Sequence, residues 1–88
     1  MNTEFIRLTQ TKENQMKVEF FANCMLVQGK PEEQERINKW IALAQEDNST
    51  IEIVIDETDE FEVSYTVVSK YMLQRELKEV FRQAKKRV

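Results

Sequence analysis

The largest group of side chains that could bind a ligand or partner in this 88-residue sequence is a run of acidic residues between positions 52 and 62. The acidic residues of this stretch are Glu52, Asp56, Glu57, Asp59, Glu60 and Glu62. Carboxylate oxygens could bind a hard cation such as Ca²⁺, but the stretch lacks the glycine and the ligand spacing of an EF-hand loop. Grouped carboxylates could instead attract a basic partner, imitate the phosphates of nucleic acid, or solvate a turn and keep an edge strand from aggregating. We predict that these residues form a partner-binding site, and we expect no metal.

A second charged cluster lies near the C-terminus, where basic residues recur along one face of a predicted helix. Its members are Lys70, Lys78, Arg82, Lys85 and Lys86. Such a face could follow a phosphate backbone, so nucleic-acid binding through this helix is the alternative function. Against it, the whole chain carries a net charge of −3, and the helix dipole favours cations in a last helical turn whatever the function.

The residue types that carry most catalytic chemistry are scarce. The chain has no histidine, one glycine and one cysteine. These counts exclude a Ser-His-Asp triad, an imidazole metal ligand, a glycine-rich phosphate loop and an internal disulfide. Asp56 and Glu62 could act as an acid–base pair across a hairpin, but a chain this small has little depth for a pocket that excludes water. We expect no enzymatic activity and no cofactor, and we interpret Cys24 as a small buried hydrophobe.

The spacing of apolar residues indicates the elements that must position these clusters. In order, the predicted elements are a strand at 4–10, a polar turn at 11–14, a strand at 16–27, a helix from Pro31, a hairpin of strands 50–56 and 61–67, and a C-terminal helix. The order ββαββα predicts an α+β fold, a two-layer sandwich of a four-stranded, mainly antiparallel sheet and two helices.

Each predicted element has an apolar side that should face the core. In the first helix this side comprises Ile37, Trp40, Ile41 and Ala44, and in the second helix Leu73, Leu77, Val80, Phe81 and Ala84. In the hairpin the inward residues are Ile51, Ile53, Ile55, Phe61, Val63, Tyr65 and Val67.

The strand predicted at 16–27 becomes apolar on both faces towards its end, and a buried helical segment over 20–27 is the alternative interpretation of that run. One face carries Phe21, Met25 and Val27, which would be exposed together if both helices covered the other face. We predict these residues as the interface of a homodimer. The alternative is one helix on each face of the sheet, which would bury them.

The bulk properties suit a single domain spanning residues 1–88. Residues 40–69 contain eight acids and no Lys or Arg, whereas residues 70–88 contain seven bases and two acids. No secretory signal or bilayer-spanning run is visible, and one cysteine suits a reducing cytoplasm. We therefore interpret the chain as a small, non-catalytic cytoplasmic domain that binds another protein. By analogy, such acidic domains are common among accessory proteins of bacteria, phages and mobile elements.

Overall fold

A computed structural model describes residues 16–88 of the chain. Its elements are strand β1 (Lys17–Phe21), strand β2 (Cys24–Gly29), a 3₁₀ turn (Pro31–Glu33), helix α1 (Gln34–Asp47), strand β3 (Ile51–Asp56), strand β4 (Val63–Ser69) and helix α2 (Gln74–Lys85). This is the predicted α+β fold, with the order ββαββα. The strand predicted at 4–10 and the turn predicted at 11–14 lie outside the described residues.

The four strands form one open antiparallel sheet in the order β1-β2-β4-β3. The register aligns Phe20, Met25, Val67 and Ile53 in a row across the strands, and residues in one row share a face. Both helices pack on that face. The buried apolar side chains of this layer are Met25, Val27, Ile37, Trp40, Ile41, Ala44, Ile51, Val63, Tyr65, Val67, Leu77, Phe81 and Ala84.

The two helices are joined at their centre by Trp40 and Phe81. Their rings meet edge to face with centroids 5.3 Å apart, and the indole Nε1 of Trp40 donates to the Phe81 carbonyl at 2.8 Å. The buried hydroxyl of Tyr65 accepts a hydrogen bond from Gln34 Nε2 at 3.2 Å, which satisfies a polar atom at the helix–sheet boundary. The predicted apolar side of the first helix is confirmed, because Ile37, Trp40, Ile41 and Ala44 are all buried.

The single long strand predicted at 16–27 is wrong, because the chain reverses in the middle of it. Ala22 and Asn23 form a two-residue turn, and Phe21 pairs with Cys24 across it. Ala22 adopts a φ of 54°, a conformation that usually selects glycine. The turn is tied to β4, since Asn23 Nδ2 donates to the Ser69 carbonyl at 3.1 Å. The apolar alternation continues through this turn and conceals it.

The predicted inward side of the hairpin is only partly correct. Val63, Tyr65 and Val67 are buried, as is Ile51. A β-bulge between Ile53 and Ile55 shifts the register, so Ile55 lies opposite Thr66 on the face without helices. Ile53 and Ile55 are both exposed, and Phe61 precedes the strand and is 75% exposed.

In the C-terminal helix, Leu77, Phe81 and Ala84 are buried and Val80 packs against the core. The expectation for Leu73 is wrong. Leu73 lies before the first helical turn and is exposed, with its backbone N–H donating to the Glu76 carboxylate at 2.8 Å.

Candidate partner-binding site

The loop between β3 and β4 is held by backbone hydrogen bonds and by aspartate side chains, chiefly that of Asp59. The N–H of Glu57 donates to the Ser64 carbonyl, and the N–H of Asp59 donates to the Glu62 carbonyl, both at 2.9 Å. Asp59 Oδ1 also accepts the N–H groups of Phe61 and Glu62, at 2.7 and 2.8 Å. This side chain therefore satisfies backbone donors that a glycine-free turn would otherwise leave to solvent.

The six predicted partner-binding residues lie on this hairpin, and all of them are exposed. Two have structural contacts, since Asp59 holds the turn and Asp56 Oδ1 accepts the Thr58 N–H at 3.2 Å. Within residues 16–88, no Lys or Arg nitrogen comes within 4.0 Å of any of the six carboxylates. Among the described residues, their charge is therefore not neutralised by ion pairs.

Exposed apolar side chains accompany these carboxylates. Ile53, Val54 and Ile55 follow one another in β3, and Val54 is 50% exposed. Phe61 lies at the loop with its N–H fixed by Asp59. The sequence interpretation missed these residues as surface features because alternation assigned Ile53, Ile55 and Phe61 to the core. Only their closeness to charged turn residues could have signalled exposure.

A cavity of about 370 Å³ bounds the acidic surface on the side of the first hairpin. It is lined by Lys17, Gln28, Gly29, Lys30, Phe61 and Glu62. The two lysines begin β1 and follow β2, so positive charge borders Glu62 there.

The basic helix presents a different arrangement, because most of its predicted nucleic-acid-binding residues already interact within the fold. Lys78 Nζ lies 5.4 Å from the Phe20 ring centroid, and Lys85 Nζ lies 4.9 Å from that of Trp40. Arg82 forms a bidentate ion pair with Glu79, with Nη2 2.9 Å from each carboxylate oxygen. Lys70 and Lys86 are exposed outside the helix.

Glu79 shows how the exposed face of α2 is organised. Gln83 Nε2 donates to its carboxylate at 2.8 Å, and Arg82 donates to the same group. The hydrogen bond from Gln83, followed by that from Arg82, lowers the pKa of the Glu79 carboxyl below its ordinary value of 4.5. Arg82, Glu79 and Gln83 therefore form a local hydrogen-bond network on the exposed face of α2.

The predicted dimer interface is not one exposed surface. Met25 and Val27 have no exposed area, because they lie on the helix-covered face beneath α1 and α2, whereas Phe21 lies on the opposite face and is 48% exposed. The expectation failed because the turn at Ala22 and Asn23 reverses the chain. That reversal puts Val18 and Phe20 on the same face as Val27 and Met25.

The remaining candidate groups show no site chemistry in the described part of the chain. Cys24 is partly buried, and its sulfur is 4.0 Å from Asn23 Oδ1. Between residues 16 and 88, acidic and cysteine side chains do not gather in a group of three that could hold a metal ion. Neither helix of this region combines the length and apolar character needed to cross a membrane.

Comparison of the chain with protein-family models, with curated proteins and with solved structures finds no match.

Proposed function

We propose that the protein is a non-catalytic, cytoplasmic interaction domain that binds a basic surface of another protein through the β3–β4 hairpin. The observation that carries the proposal is a fixed loop with exposed carboxylates that have no ion-pair partner among residues 16–88. A fixed loop loses little conformational freedom on binding. Its charge would raise the association rate with a basic partner.

The apolar residues beside the carboxylates strengthen this proposal. Phe61 and Val54 present hydrophobic area next to charge. Aromatic side chains supply much of the affinity in protein interfaces, while charged rims contribute orientation and association rate. A surface that combines both suits a protein partner better than a metal ion or a small molecule.

Nucleic-acid binding through α2 is the weaker proposal. Lys78 and Lys85 contact aromatic rings, and Arg82 is paired with Glu79. A phosphate backbone would have to compete with these intramolecular contacts. The carboxylates would also repel phosphate, although they leave open the related role of an acidic nucleic-acid mimic that occupies a basic groove on a protein.

Charge-matched variants in a capture experiment test the proposal. Glu57→Gln with Glu60→Gln removes two carboxylates from the hairpin, and Glu32→Gln with Glu35→Gln removes two exposed carboxylates from the region of α1. Both double variants change the net charge equally. We expect proteins retained from a nuclease-treated lysate by the wild type to be retained by the helix variant and reduced at least about tenfold with the hairpin variant, measured by quantitative mass spectrometry.

Equal retention by the two double variants would contradict the proposal. Suppose instead that material absorbing at 260 nm is retained from an untreated lysate and that this retention is lost after nuclease treatment. That result would assign the function to the basic helix. Lys78→Glu with Arg82→Glu should then abolish retention, and added salt should weaken it steeply.

A further inference from the structure

The outer edge of β3 is the part of the sheet best suited to accept another strand. β3 lies at one end of the order β1-β2-β4-β3, and no strand within residues 16–88 pairs with its outer side. Exposed sheet edges carry unpaired N–H and C=O groups that an extended peptide can use. This edge also carries Ile53, Val54 and Ile55 as exposed apolar residues.

The hydrogen bonds of Ile51 show which backbone groups point outward. Its N–H donates to the Asn48 carbonyl, and its carbonyl accepts Gln45 Nε2, both at 3.2 Å. Both backbone groups of Ile51 therefore bond away from β4. In an antiparallel strand this orientation repeats at every second residue, so the N–H and C=O of Ile53 also face the outer edge.

The bulge gives the two faces of this edge a similar composition. Ile53 and Asp56 pair with Val67 and Tyr65 and so lie on the helix-covered face. Glu52 and Ile55 pair with Val68 and Thr66 and so lie on the other face. Each face of the edge therefore offers one isoleucine and one carboxylate. A complementary strand needs an apolar and a basic residue on each of its own faces.

A second copy of this chain is a poor occupant of the edge. Antiparallel self-pairing centred on Ile53 would need the outward N–H and C=O of Ile51, which already bond to Asn48 and Gln45. A register centred on Val54 aligns as many apolar residues and does not use Ile51. The same register sets Glu52 of each copy against Asp56 of the other, and like charges directly opposite destabilise a strand pair. Lysine or arginine at those positions would convert each repulsion into an attraction.

We propose that the outer edge of β3 binds an extended, basic and apolar segment of a partner protein as a fifth strand. This proposal rests on the proposed function, because it names the binding mode and partner chemistry of the same hairpin. Backbone hydrogen bonds at Ile53 would supply affinity. The carboxylates Glu52 and Asp56 would select basic side chains, and the bulge would select a partner that mixes charge and apolar character on both faces.

The test is an NMR titration of the wild-type protein with short synthetic peptides. The probe is acetyl-Lys-Lys-Val-Val-Lys-Lys-amide, which places lysine and valine on both faces of an extended strand. Its control carries the same side chains but is methylated at every backbone nitrogen, so it keeps the charge and loses the strand-forming donors. A second control replaces the lysines with glutamates.

The expected result is a set of amide shift changes centred on Ile53 and Val54 with the unmodified probe. The methylated peptide should bind at least about tenfold more weakly, because backbone hydrogen bonds are lost, and the acidic peptide should not bind. Concentration-dependent shifts at Ile53 without any peptide would overturn the proposal in favour of a second copy.

Two other outcomes separate this proposal from the proposed function. Equal binding of the methylated and unmodified probes, lost in the Glu57→Gln, Glu60→Gln variant, would overturn strand addition while supporting recognition of a basic partner. Unshifted amides with every peptide would also overturn strand addition. The proposed function would then be decided by the capture experiment alone.

Discussion

At the scale of single residues, Ala22 is the position among residues 16–88 where the backbone is least suited to its side chain. Its φ of 54° lies in the left-handed region, which costs an L-residue about 1–2 kcal/mol relative to glycine. We expect Ala22→Gly to raise the free energy of unfolding by about 1 kcal/mol, reduced somewhat by the greater entropy that glycine has in the unfolded chain. Urea denaturation measures this as a higher midpoint with an unchanged slope.

Ala42 provides a matched control for that substitution. It is an exposed residue inside α1, where glycine costs about 1 kcal/mol relative to alanine. Ala42→Gly should therefore lower the free energy of unfolding while Ala22→Gly raises it. A shift of the same sign in both variants would show that the turn does not hold Ala22 under strain.

Individual residues also show how much of the hairpin surface can be predicted from the sequence. The exposure of all six hairpin carboxylates is predictable, because charged residues in a turn are seldom buried. The structural role of Asp59 is not, since only the folded loop brings its carboxylate to the N–H groups of Phe61 and Glu62. The exposure of Phe61 was missed because alternation alone does not show where β4 begins.

At the scale of elements, the end of β2 packs against the start of α1 at Gly29, the only glycine of the chain. A Cβ atom at this position would lie 3.1 Å from Ile37 Cδ1 and 3.4 Å from Glu33 Cβ. We expect Gly29→Ala to lower the free energy of unfolding by about 1 kcal/mol, because Ile37 must move within a packed core.

A double-mutant cycle with Ile37→Val tests this cause. Valine lacks Cδ1, so Gly29→Ala should be less destabilising in the Ile37→Val background than in the wild type. Both free energies come from urea denaturation. An equal cost in the two backgrounds would contradict steric contact with Ile37 as the origin of the effect.

The elements themselves were predictable where apolar spacing had one clear interpretation. The helices α1 and α2 followed from their apolar stripes, and β4 from its alternation. The hairpin of β1 and β2 did not follow, because the turn lacks glycine and Phe20 and Phe21 are both apolar. The bulge in β3 was also invisible, since three successive β-branched residues fit either register.

At the scale of the whole molecule, ion pairs connect the acidic and basic segments where the two helices end. Among residues 16–88, no such ion pair forms at the hairpin. Arg87, after α2, lies 3.5 Å from a Glu46 carboxylate oxygen and 3.7 Å from one of Asp47, at the end of α1. Each of these exposed ion pairs contributes little to the stability of the fold. The hairpin acids lack such contacts among residues 16–88, so the described surface keeps its negative charge at one edge of the sheet.

That separation leads to a prediction about self-association. If Glu52 and Asp56 keep copies of β3 apart, then Glu52→Gln with Asp56→Asn should allow the exposed apolar edge to pair with itself. Asparagine retains the oxygen that accepts the Thr58 N–H, so the loop should persist. Size-exclusion chromatography with light scattering should give the wild type near its chain mass of 10.5 kDa and the variant approaching twice that mass at high concentration.

The double variant Glu57→Gln, Glu60→Gln is the control, because it removes the same charge from the loop and leaves the edge of β3 unchanged. It should remain a monomer, since net charge alone does not decide strand pairing. A dimeric wild type, or dimers in both variants, would mean that the carboxylates beside Ile53 and Ile55 do not prevent self-pairing. A dimer confined to Glu52→Gln, Asp56→Asn would show that this edge can pair with another strand and that Glu52 and Asp56 keep it from pairing with itself.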